Sequence, residues 1–403
     1  MLPKRRFKAD DGSQFPDWEE KKLSNYLSFK NGLNADKDKF GTGIKYISVL
    51  DILNNDFITY EKINGKVNVD KETLNEFSVE YGDVLFQRSS ETKIDAGKSN
   101  VYLDKENIAT FGGFVIRGKK IGTYEPRYMN YCLKSENIRR QIMSKAQGEQ
   151  HVNVGQETLA NIRIFMPSFD EQKKIADFLS DIDNMISMQE QQLANLEEQK
   201  KGIMQKIFSQ EVRFKDDNGN EYPEWKEKRL ANCFCERREK AVGNEELLSV
   251  TKSNGIIRQS ESTKRDISNE NKSNYKKVHK GDIAYNSMRM WQGAEGVSSY
   301  DGIVSPAYTI LIPQNVCGKY FEYLFKMPEQ MYLFERFSTG LTSDTWNLKY
   351  PQFSKLKVTI PCFEEQKKIA VFLSDYDKAI EIKRKKIEEW KTLKKGLIQQ
   401  MFV

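Results

Sequence analysis

Histidine, cysteine and long apolar runs are scarce in this sequence of 403 residues, and each scarcity excludes a class of protein. Cys233 and Cys235 have no second cysteine pair and the chain has only two histidines, so a zinc site is not expected. Five cysteines, an odd number, favour a reducing cytosol over a disulfide framework. We therefore expect neither a metal-built nor a disulfide-built fold.

No apolar run approaches the ~18 residues of a membrane helix, and the first residues, MLPKRRF, lack the apolar core of a signal peptide. These features predict a cytoplasmic protein without a membrane partner. The formal net charge of +6 permits nucleic-acid binding without demonstrating it.

Two stretches of the chain repeat without a gap. RFKADDGSQFPDWEEKKL from Arg6 returns as RFKDDNGNEYPEWKEKRL from Arg213, at an offset of 207. PSFDEQKKIADFLSDID from Pro167 returns as PCFEEQKKIAVFLSDYD from Pro361, at an offset of 194. The similarity fades between these anchors, and the difference of the offsets (207 − 194) makes the first middle section 13 residues longer. The chain is therefore an internal duplication whose ends are alike and whose middles diverge.

The second anchor of each copy begins a heptad pattern typical of a long helix. No proline interrupts 170–208 or its copy, and 39 residues would span roughly 58 Å. A stripe this narrow favours one partner helix, and the simplest partner is the other copy, antiparallel. The predicted interface consists of Ile182, Ile186, Gln189, Leu193, Leu196 and Lys200 in the first helix and Ile380, Lys383, Ile387, Trp390, Lys394 and Leu397 in the second. The alternative is a pair of ordinary amphipathic core helices.

One antiparallel register aligns apolar with apolar and polar with polar positions. It predicts that Gln189 lies near Lys394, Lys200 near Lys383, and Leu193 near Trp390. The lysine pair is unfavourable because like charges repel, unless the long stems carry both ammonium groups to solvent.

The divergent middle section of each copy has the pattern of an α+β domain. Short β-rich runs, such as GIKYISV from Gly43 and AYTILI from Ala307, lie between Gly, Asn and Asp clusters, and 128–142 and 320–334 are predicted helices. The predicted fold is two globular domains separated by two long antiparallel helices that form a coiled coil with pseudo-twofold symmetry. Its predicted parts are domain 1–166, helix 167–210, domain 211–360 and helix 361–403.

Sequence motifs for catalysis are either incomplete or missing. GFVIRGKK from Gly113 resembles a phosphate loop but lacks the final Ser or Thr, and its interior has the pattern of a strand. Pro16-Asp17 with Glu19, Glu20 and Lys21 has the residue types of a metal-dependent nuclease, but the carboxylates are too close in sequence. The Asn-Pro-Pro-aromatic motif of amino-methyltransferases is missing, since the chain has no Pro-Pro. We therefore predict a protein that is not an enzyme.

The order of variable and repeated parts resembles the specificity subunit of type I restriction–modification enzymes over essentially the whole chain. The resemblance rests on Pro-x-Phe-x-Glu-Gln-Lys-Lys-Ile-Ala at 167–176 and 361–370, and on Pro-x-Trp at 16–18 and 223–225. It implies that each globular domain recognises one half of a split double-stranded DNA sequence. It also implies that the helices act as a spacer and bind two modification subunits, which carry S-adenosylmethionine and methylate adenine N6. Restriction (motor-nuclease) subunits would complete the assembly, and no cofactor is expected in this chain.

Candidate DNA-contacting residues are the polar side chains of three sets of loops, because base edges are read by such groups. One set follows the predicted strands that begin at Gly82-Asp83 and Gly281-Asp282, a second precedes Asn153 and Asn347, and a third is 249–254. For each single residue the alternative is a solvated loop or a buried aromatic. The candidates are Gln87, Arg88, Ser89, Ser90, Lys93, Gln147, Gln150, His151, Thr251, Lys252, Asn254, Asn286, Ser287, Arg289, Trp291, Thr342, Ser343 and Trp346.

Two other functions stay open at this point. A coiled-coil scaffold could space two protein-binding domains without contacting DNA. A self-contained methyltransferase or nuclease is disfavoured by the missing motifs.

Overall fold

The computed structural model describes residues 3–148, 151–243, 245–251, 255–262, 268, 271–343 and 345–402. It divides into unit 1, Met1–Gln191 with Lys385–Val403, and unit 2, Gln192–Arg384. The division falls inside both long helices, so each unit contains one globular domain and part of each helix.

The elements up to the first long helix belong to unit 1. The strands are β1 Glu19–Lys22, β2 Leu27–Asn31, β3 Phe40–Ile47, β4 Lys66–Val67, β5 Val84–Gln87, β6 Ser89–Ser90, β7 Ser99–Val101, β8 Thr110–Phe111, β9 Val115–Lys120, β10 Val152–Asn153 and β11 Arg163–Met166. The helices are α1 Val49–Leu53, α2 Lys71–Glu76, α3 Pro126–Lys134, α4 Glu136–Lys145, α5 Gln156–Ala160 and the long α6 Phe169–Phe208.

The second half of the chain has a parallel order of elements. The strands are β12 Lys226–Arg229, β13 Phe234–Glu236, β14 Leu248–Thr251, β15 Gly255–Arg258, β16 Lys276–Val278, β17 Ile283–Asn286, β18 Glu295–Val297, β19 Gly302–Val304, β20 Tyr308–Pro313 and β21 Lys357–Ile360. The helices are α7 Gly318–Phe325, α8 Pro328–Phe337, α9 Tyr350–Phe353 and the long α10 Phe363–Met401.

Each globular domain contains a four-stranded antiparallel sheet, in the order β2-β9-β5-β7 in unit 1 and β13-β20-β17-β18 in unit 2. In unit 1, β4-β3-β8 form a second sheet, and β10 pairs with β6. In unit 2, β14 pairs with β15 and β16 with β19. A strand just after each Pro-x-Trp motif pairs with the strand before the long helix, as β1 with β11 and β12 with β21. The predicted α+β class is confirmed.

Most predicted strands are confirmed, but the two predicted domain helices are wrong in extent. The stretch 128–142 forms α3 and α4, because Ser135 between them adopts an extended conformation (φ −65°, ψ 151°). The stretch 320–334 likewise forms α7 and α8. Met327 is extended (φ −68°, ψ 140°) because the following Pro328 disfavours a helical conformation there. Each interruption lets two short amphipathic helices pack at an angle that one straight helix could not adopt.

The repeated sequence motifs form a buried clasp in each unit. In unit 1, Arg6 donates two hydrogen bonds to the carboxylate of Glu171 at 3.1 and 2.9 Å, and Trp18 Nε1 donates a third at 3.1 Å. Glu171 is fully buried in the first turn of α6, where a carboxylate also complements the helix dipole. Three repeated residues are thus explained by one contact, which ties the start of the globular domain to the long helix.

Unit 2 repeats the clasp with Arg213, Trp225 and Glu365. The guanidinium donates to Glu365 at 3.3 and 2.8 Å, the indole donates at 3.2 Å, and Glu365 is fully buried. The next residue of the motif is also used internally: Gln172 and Gln366 each accept a backbone N–H, at 3.0 and 2.9 Å. The near-identity of the repeat ends is therefore required within each unit.

The long helices pack antiparallel within each unit, as predicted. In unit 1 the start of α6, with Ile182 and Ile186, shares a core with Trp390 and Leu397 near the end of α10. In unit 2 the end of α6, with Ile203 and Ile207, shares a core with the start of α10. The predicted interface positions are buried or half-buried in both helices. Among the described helices, none combines the length and the hydropathy needed to cross a membrane.

The lysines of the helix pair form two ion pairs that the heptad pattern did not predict. Lys394 forms an ion pair with Asp183, and Lys200 binds Asp377 at 2.5 Å, although Gln189 and Lys383 were the predicted neighbours. Each aspartate comes six residues before the predicted partner, about 9 Å along the helix. Each lysine thus has an opposite charge beside it. The predicted proximity of Gln189 to Lys394 and of Lys200 to Lys383 stays a prediction. The pairing of Leu193 with Trp390 stays a prediction.

A tyrosine of each globular domain explains why the lysine binds this aspartate. Tyr131 of α3 donates to Asp183 at 2.7 Å, and Lys394 Nζ lies 5.4 Å from the centre of its ring. Tyr323 of α7 also donates to Asp377, and Lys200 Nζ lies 5.0 Å from that ring. In each unit, three separate elements meet at one carboxylate, which orients the globular domain on the helix pair.

Candidate nucleic-acid interface

Two loops that are far apart in sequence meet in unit 1 and form one surface. β6 pairs with β10 through Ser89 opposite Asn153, and the Ser89 hydroxyl donates to the Asn153 side chain. Val154 N–H donates to the carbonyl of Arg88 at 2.9 Å. We call this combined surface of residues 87–93, 112–114 and the described residues of 147–153 the unit 1 loop surface. Two of the three predicted sets of DNA-contacting loops are thus brought together in this unit.

The side chains of the unit 1 loop surface divide into exposed and buried groups. Lys93, Gln147 and His151 are exposed, and Arg88 and Ser89 are half-buried. Gln87 and Ser90 are buried and donate to the carbonyls of Ser89 and Thr92, so they shape the loop. Gln150 lies outside the described residues.

Unit 2 joins its equivalent loops through a backbone contact and an aromatic pair. Leu348 N–H donates to the carbonyl of Ser287 at 2.8 Å. The rings of Trp291 and Trp346 pack edge to face, with centroids 5.4 Å apart. Leu341, in the same loop as Trp346, is fully exposed. Residues 286–292 and the described residues of 339–347 together form what we call the unit 2 loop surface.

The predicted residues of the unit 2 loop surface differ in exposure as well. Thr342 and Ser343 are exposed, whereas Asn286 and Arg289 are half-buried. Ser287 is buried, and its hydroxyl lies 2.9 Å from that of Thr309. It therefore supports the loop from within.

The third predicted loop follows β14 and is only partly described. Thr251 is half-buried, and its hydroxyl donates to the carbonyl of Gly255 at 3.1 Å. Lys252 and Asn254 lie outside the described residues. Gly255 packs on Gly296 of β18 so closely that a Cβ added to Gly296 would meet Gly255 Cα at 2.8 Å. The start of β15 therefore lies against the hairpin that carries residues 286–292.

A buried carboxyl group lies on the strand that follows residues 286–292 of the unit 2 loop surface. Glu295 is fully buried on β18, opposite Tyr285 of β17. Both of its oxygens lack a hydrogen-bond partner, and Lys326 Nζ lies 3.5 Å away, beyond the usual hydrogen-bond distance. Burial raises the pKa of Glu295 to about 8. The group is therefore mostly a neutral carboxylic acid at pH 7.

The two units share one backbone arrangement at this surface but carry different side chains. The carbonyl of Phe114 accepts a hydrogen bond from Arg88 N–H at 2.9 Å, and that of Ala307 accepts one from Ser287 N–H at 3.4 Å. These are equivalent positions, because Gln87 pairs with Val115 in β5–β9 as Asn286 pairs with Tyr308 in β17–β20.

Sequence reasoning missed two exposed apolar residues at these surfaces, Phe114 and Leu341. Phe114 lies in an apolar run that has the pattern of a buried strand, and a single leucine in a polar loop gives no periodic signal. Among the described residues, no group of three or more His, Cys, Asp or Glu side chains could hold a metal ion.

Comparison with known proteins agrees with this duplicated architecture. The family model described as "Type I restriction modification DNA specificity domain" matches residues 16–198 and again residues 205–392. This match assigns DNA recognition rather than catalysis to both copies, and it favours DNA recognition over the protein-binding scaffold.

Two curated relatives are specificity subunits from Methanocaldococcus jannaschii. The putative type I restriction enzyme MjaX specificity subunit is 32% identical over 241 residues, which is 56% of this chain and 55% of that protein. The chain thus spans about half the length of this relative. The type I restriction enzyme MjaVIII specificity subunit is 25% identical over an alignment that covers 97% of this chain and 94% of that protein.

Solved structures share the fold at low sequence identity. The S subunit of a type I restriction–modification system from M. genitalium is 15% identical, with a TM-score of 0.57, and the match covers 100% of this chain and 99% of that one. A chain from a study of complex assembly and conformational transition of the type I R-M system is 12% identical, with a TM-score of 0.58, over 96% and 97% of the two chains. Because the family model covers most of the sequence in two copies, the chain belongs to the family of type I restriction–modification DNA specificity subunits.

Proposed function

We propose that the chain binds an asymmetric, bipartite DNA site, one half on the loop surface of each unit. The observation that carries this proposal is the shared backbone arrangement with different side chains, Arg88 and Phe114 against Ser287 and Ala307. Sequence is read by side chains at base edges, whereas the backbone arrangement sets their position. Two equivalent frames with different side chains therefore favour two different half-sites.

The same duplication supports two similar docking sites for modification subunits. The clasp residues are buried or half-buried and already paired with one another, so docking involves outward-facing residues of the repeated segments. Met188 of α6 and Ile382 of α10 are equivalent at the 194 offset and are 57% and 68% exposed, which leaves one apolar side chain at the same position of each helix. Each modification subunit would carry S-adenosylmethionine and methylate adenine N6, and this chain would contribute no catalytic group.

Motor-nuclease subunits complete the proposed assembly. The support is the naming of the relatives as specificity subunits of type I restriction enzymes, and the fold shared with a chain from a study of type I complex assembly. In this assembly, restriction and methylation follow the same bipartite site because this chain selects it for both.

Genome-wide mapping of methylated adenine tests the proposal. We expect one bipartite motif, with half-sites about one duplex turn (~34 Å) apart, to be methylated when the chain is present and unmethylated after its gene is deleted. Restoring the gene on a plasmid controls for secondary effects. An unchanged methylation map would refute the proposed function.

Arg88→Ala is expected to weaken binding to the mapped site. The half-buried Arg88 is the one arginine of the unit 1 loop surface, and losing an arginine contact to a base costs about 1–3 kcal/mol, or roughly 5- to 150-fold in affinity. Arg163→Ala is the control. It removes the same charge from strand β11, where the arginine is exposed and pairs with Glu20. Electrophoretic mobility shift on the mapped duplex measures both. Equal losses for the two variants would mean that Arg88 contributes only its charge.

A further inference from the structure

Phe114 is an exposed aromatic side chain on the unit 1 loop surface. It lies in the turn between β8 and β9, is 71% exposed, and is the most exposed phenylalanine in the described part of the chain. A ring of this size in water loses the stabilisation that burial of apolar surface provides. Its carbonyl accepts the Arg88 N–H, so the ring stands next to a candidate DNA-contacting arginine.

The turn that carries Phe114 is held rigidly on its inner side. A Cβ added to Gly112 would meet Tyr46 Oη at 2.0 Å, and one added to Gly113 would meet Asn34 Oδ1 at 1.9 Å. Gly112 N–H donates to the carbonyl of Ile47 at 3.0 Å, and its own carbonyl accepts Val115 N–H at 2.8 Å. A larger residue at either position would displace the Tyr46 or Asn34 side chain, so the protein packs closely behind the turn while the ring faces solvent. A side chain on such a fixed backbone loses little conformational entropy when it binds a partner.

The equivalent position in unit 2 carries Ala307, although the backbone contact is retained. Ser287 N–H donates to the carbonyl of Ala307 as Arg88 N–H donates to that of Phe114. The fold therefore does not require an aromatic ring here. Internal packing therefore does not account for Phe114, and its ring is free to contact a partner outside the unit.

We propose that Phe114 makes an apolar contact with a base of the half-site that unit 1 recognises, and so helps to determine specificity. This inference rests on the proposed function. Duplex DNA offers two apolar surfaces to such a ring: the thymine methyl group in the major groove, and the face of a base at an opened step. Arg88 beside it supplies a polar contact, so together the two residues recognise the donor and acceptor pattern and the apolar surface of neighbouring bases.

Binding of Phe114→Ala to the mapped duplex tests this inference, with the full-length chain in complex with its modification subunit. We expect roughly a ten-fold or greater loss of affinity, from the apolar area the ring would bury. The dependence of affinity on salt should stay unchanged, because no phosphate contact is removed. Discrimination at the half-site of unit 2 should also be unchanged. Ile121→Ala, which removes a 61% exposed side chain just after β9, is the matched control and should bind as the wild type does.

Two modified duplexes distinguish the apolar surfaces. If Phe114 covers a thymine methyl, replacing that thymine by deoxyuridine weakens the wild type but not Phe114→Ala. If the ring opens a base step, 2-aminopurine at that step fluoresces more strongly with the wild type than with the variant. Either result supports the inference.

Wild-type affinity and specificity in Phe114→Ala would overturn the inference and leave the proposed function standing, provided that the wild type discriminates the mapped site. If the wild type itself does not discriminate that site, the proposed function fails and this inference fails with it. The melting temperature of each variant shows that a loss of binding is not a loss of fold, since an exposed ring contributes little to stability.

Discussion

Glu171→Ala is expected to lower the free energy of unfolding of unit 1 by about 3 kcal/mol. It removes the buried carboxylate of an ion pair and leaves the Arg6 guanidinium with only the exposed Asp17 and two backbone carbonyls. Glu171 is fully buried, and the Arg6 side chain that binds it is only 13% exposed. The substitution also removes the acceptor for Trp18 Nε1. Two repeated residues, Arg6 and Trp18, lose their contact with α6 at once, so the globular domain should separate from the start of α6 first.

Amide hydrogen exchange in β1 and the first turns of α6 measures this loss, since it reports local opening in one unit. Asp10→Ala is the control within the same segment. Its ion pair with Lys174 is exposed on the aspartate side (97%), so we expect a change of about 0–1 kcal/mol. Glu365→Ala should reproduce the effect in unit 2 alone. If Glu171→Ala and Asp10→Ala accelerated exchange equally, the clasp would not be what stabilises the unit.

Glu295→Gln is expected to remove a pH dependence from the stability of unit 2. The ordinary pKa of this carboxyl is 4.5, and burial raises it to about 8 in the folded state, which therefore binds the proton more tightly than the unfolded chain. The contribution of Glu295 to stability is thus fully present below pH 4.5, is lost as the pH rises towards 8, and is absent above it. The total change is on the order of 3–5 kcal/mol.

Urea denaturation at pH 5 and pH 8.5 compares the variant with the wild type. Glutamine resembles the protonated acid, so the two proteins should be similar at pH 5 and the variant more stable at pH 8.5. Glu246→Gln, at a side chain that is 44% exposed, controls for the loss of a carboxylate. A stability difference that does not change with pH would mean that Glu295 is ionised throughout this range.

The architecture was predictable because it follows from the repeat, which needs no knowledge of contacts. Two gapless matches imply two copies, and a heptad stripe without proline implies a paired helix. The partners of the polar heptad positions were not predictable from the helices alone. Asp183 attracts Lys394 at a site that Tyr131 completes, and Tyr131 comes from a domain helix 52 residues away in sequence.

The loop surfaces show the same limit on a smaller scale. Residue type suggested Arg88 and Ser287 equally as DNA-contacting residues. The packing around each loop leaves Arg88 half-buried and Ser287 buried. Phe114 could not be found, because its sequence neighbours are those of a strand. Its outward direction depends on Tyr46 and Asn34 behind the turn, and those contacts arise only in the folded domain.

The clasp also bears on how such a protein can change over generations. The residues that join a globular domain to its helix are the same in both units: arginine, tryptophan and glutamate at Arg6, Trp18 and Glu171, and again at Arg213, Trp225 and Glu365. The side chains at the two loop surfaces differ, and they lie outside this joint. Genetic exchange of the segment between the tryptophan and the glutamate would therefore introduce a new set of loops, while the residues that attach the domain to its helix stay the same. Because the clasp residues are constant, the side chains of the loops can vary while the domain stays attached to its helix.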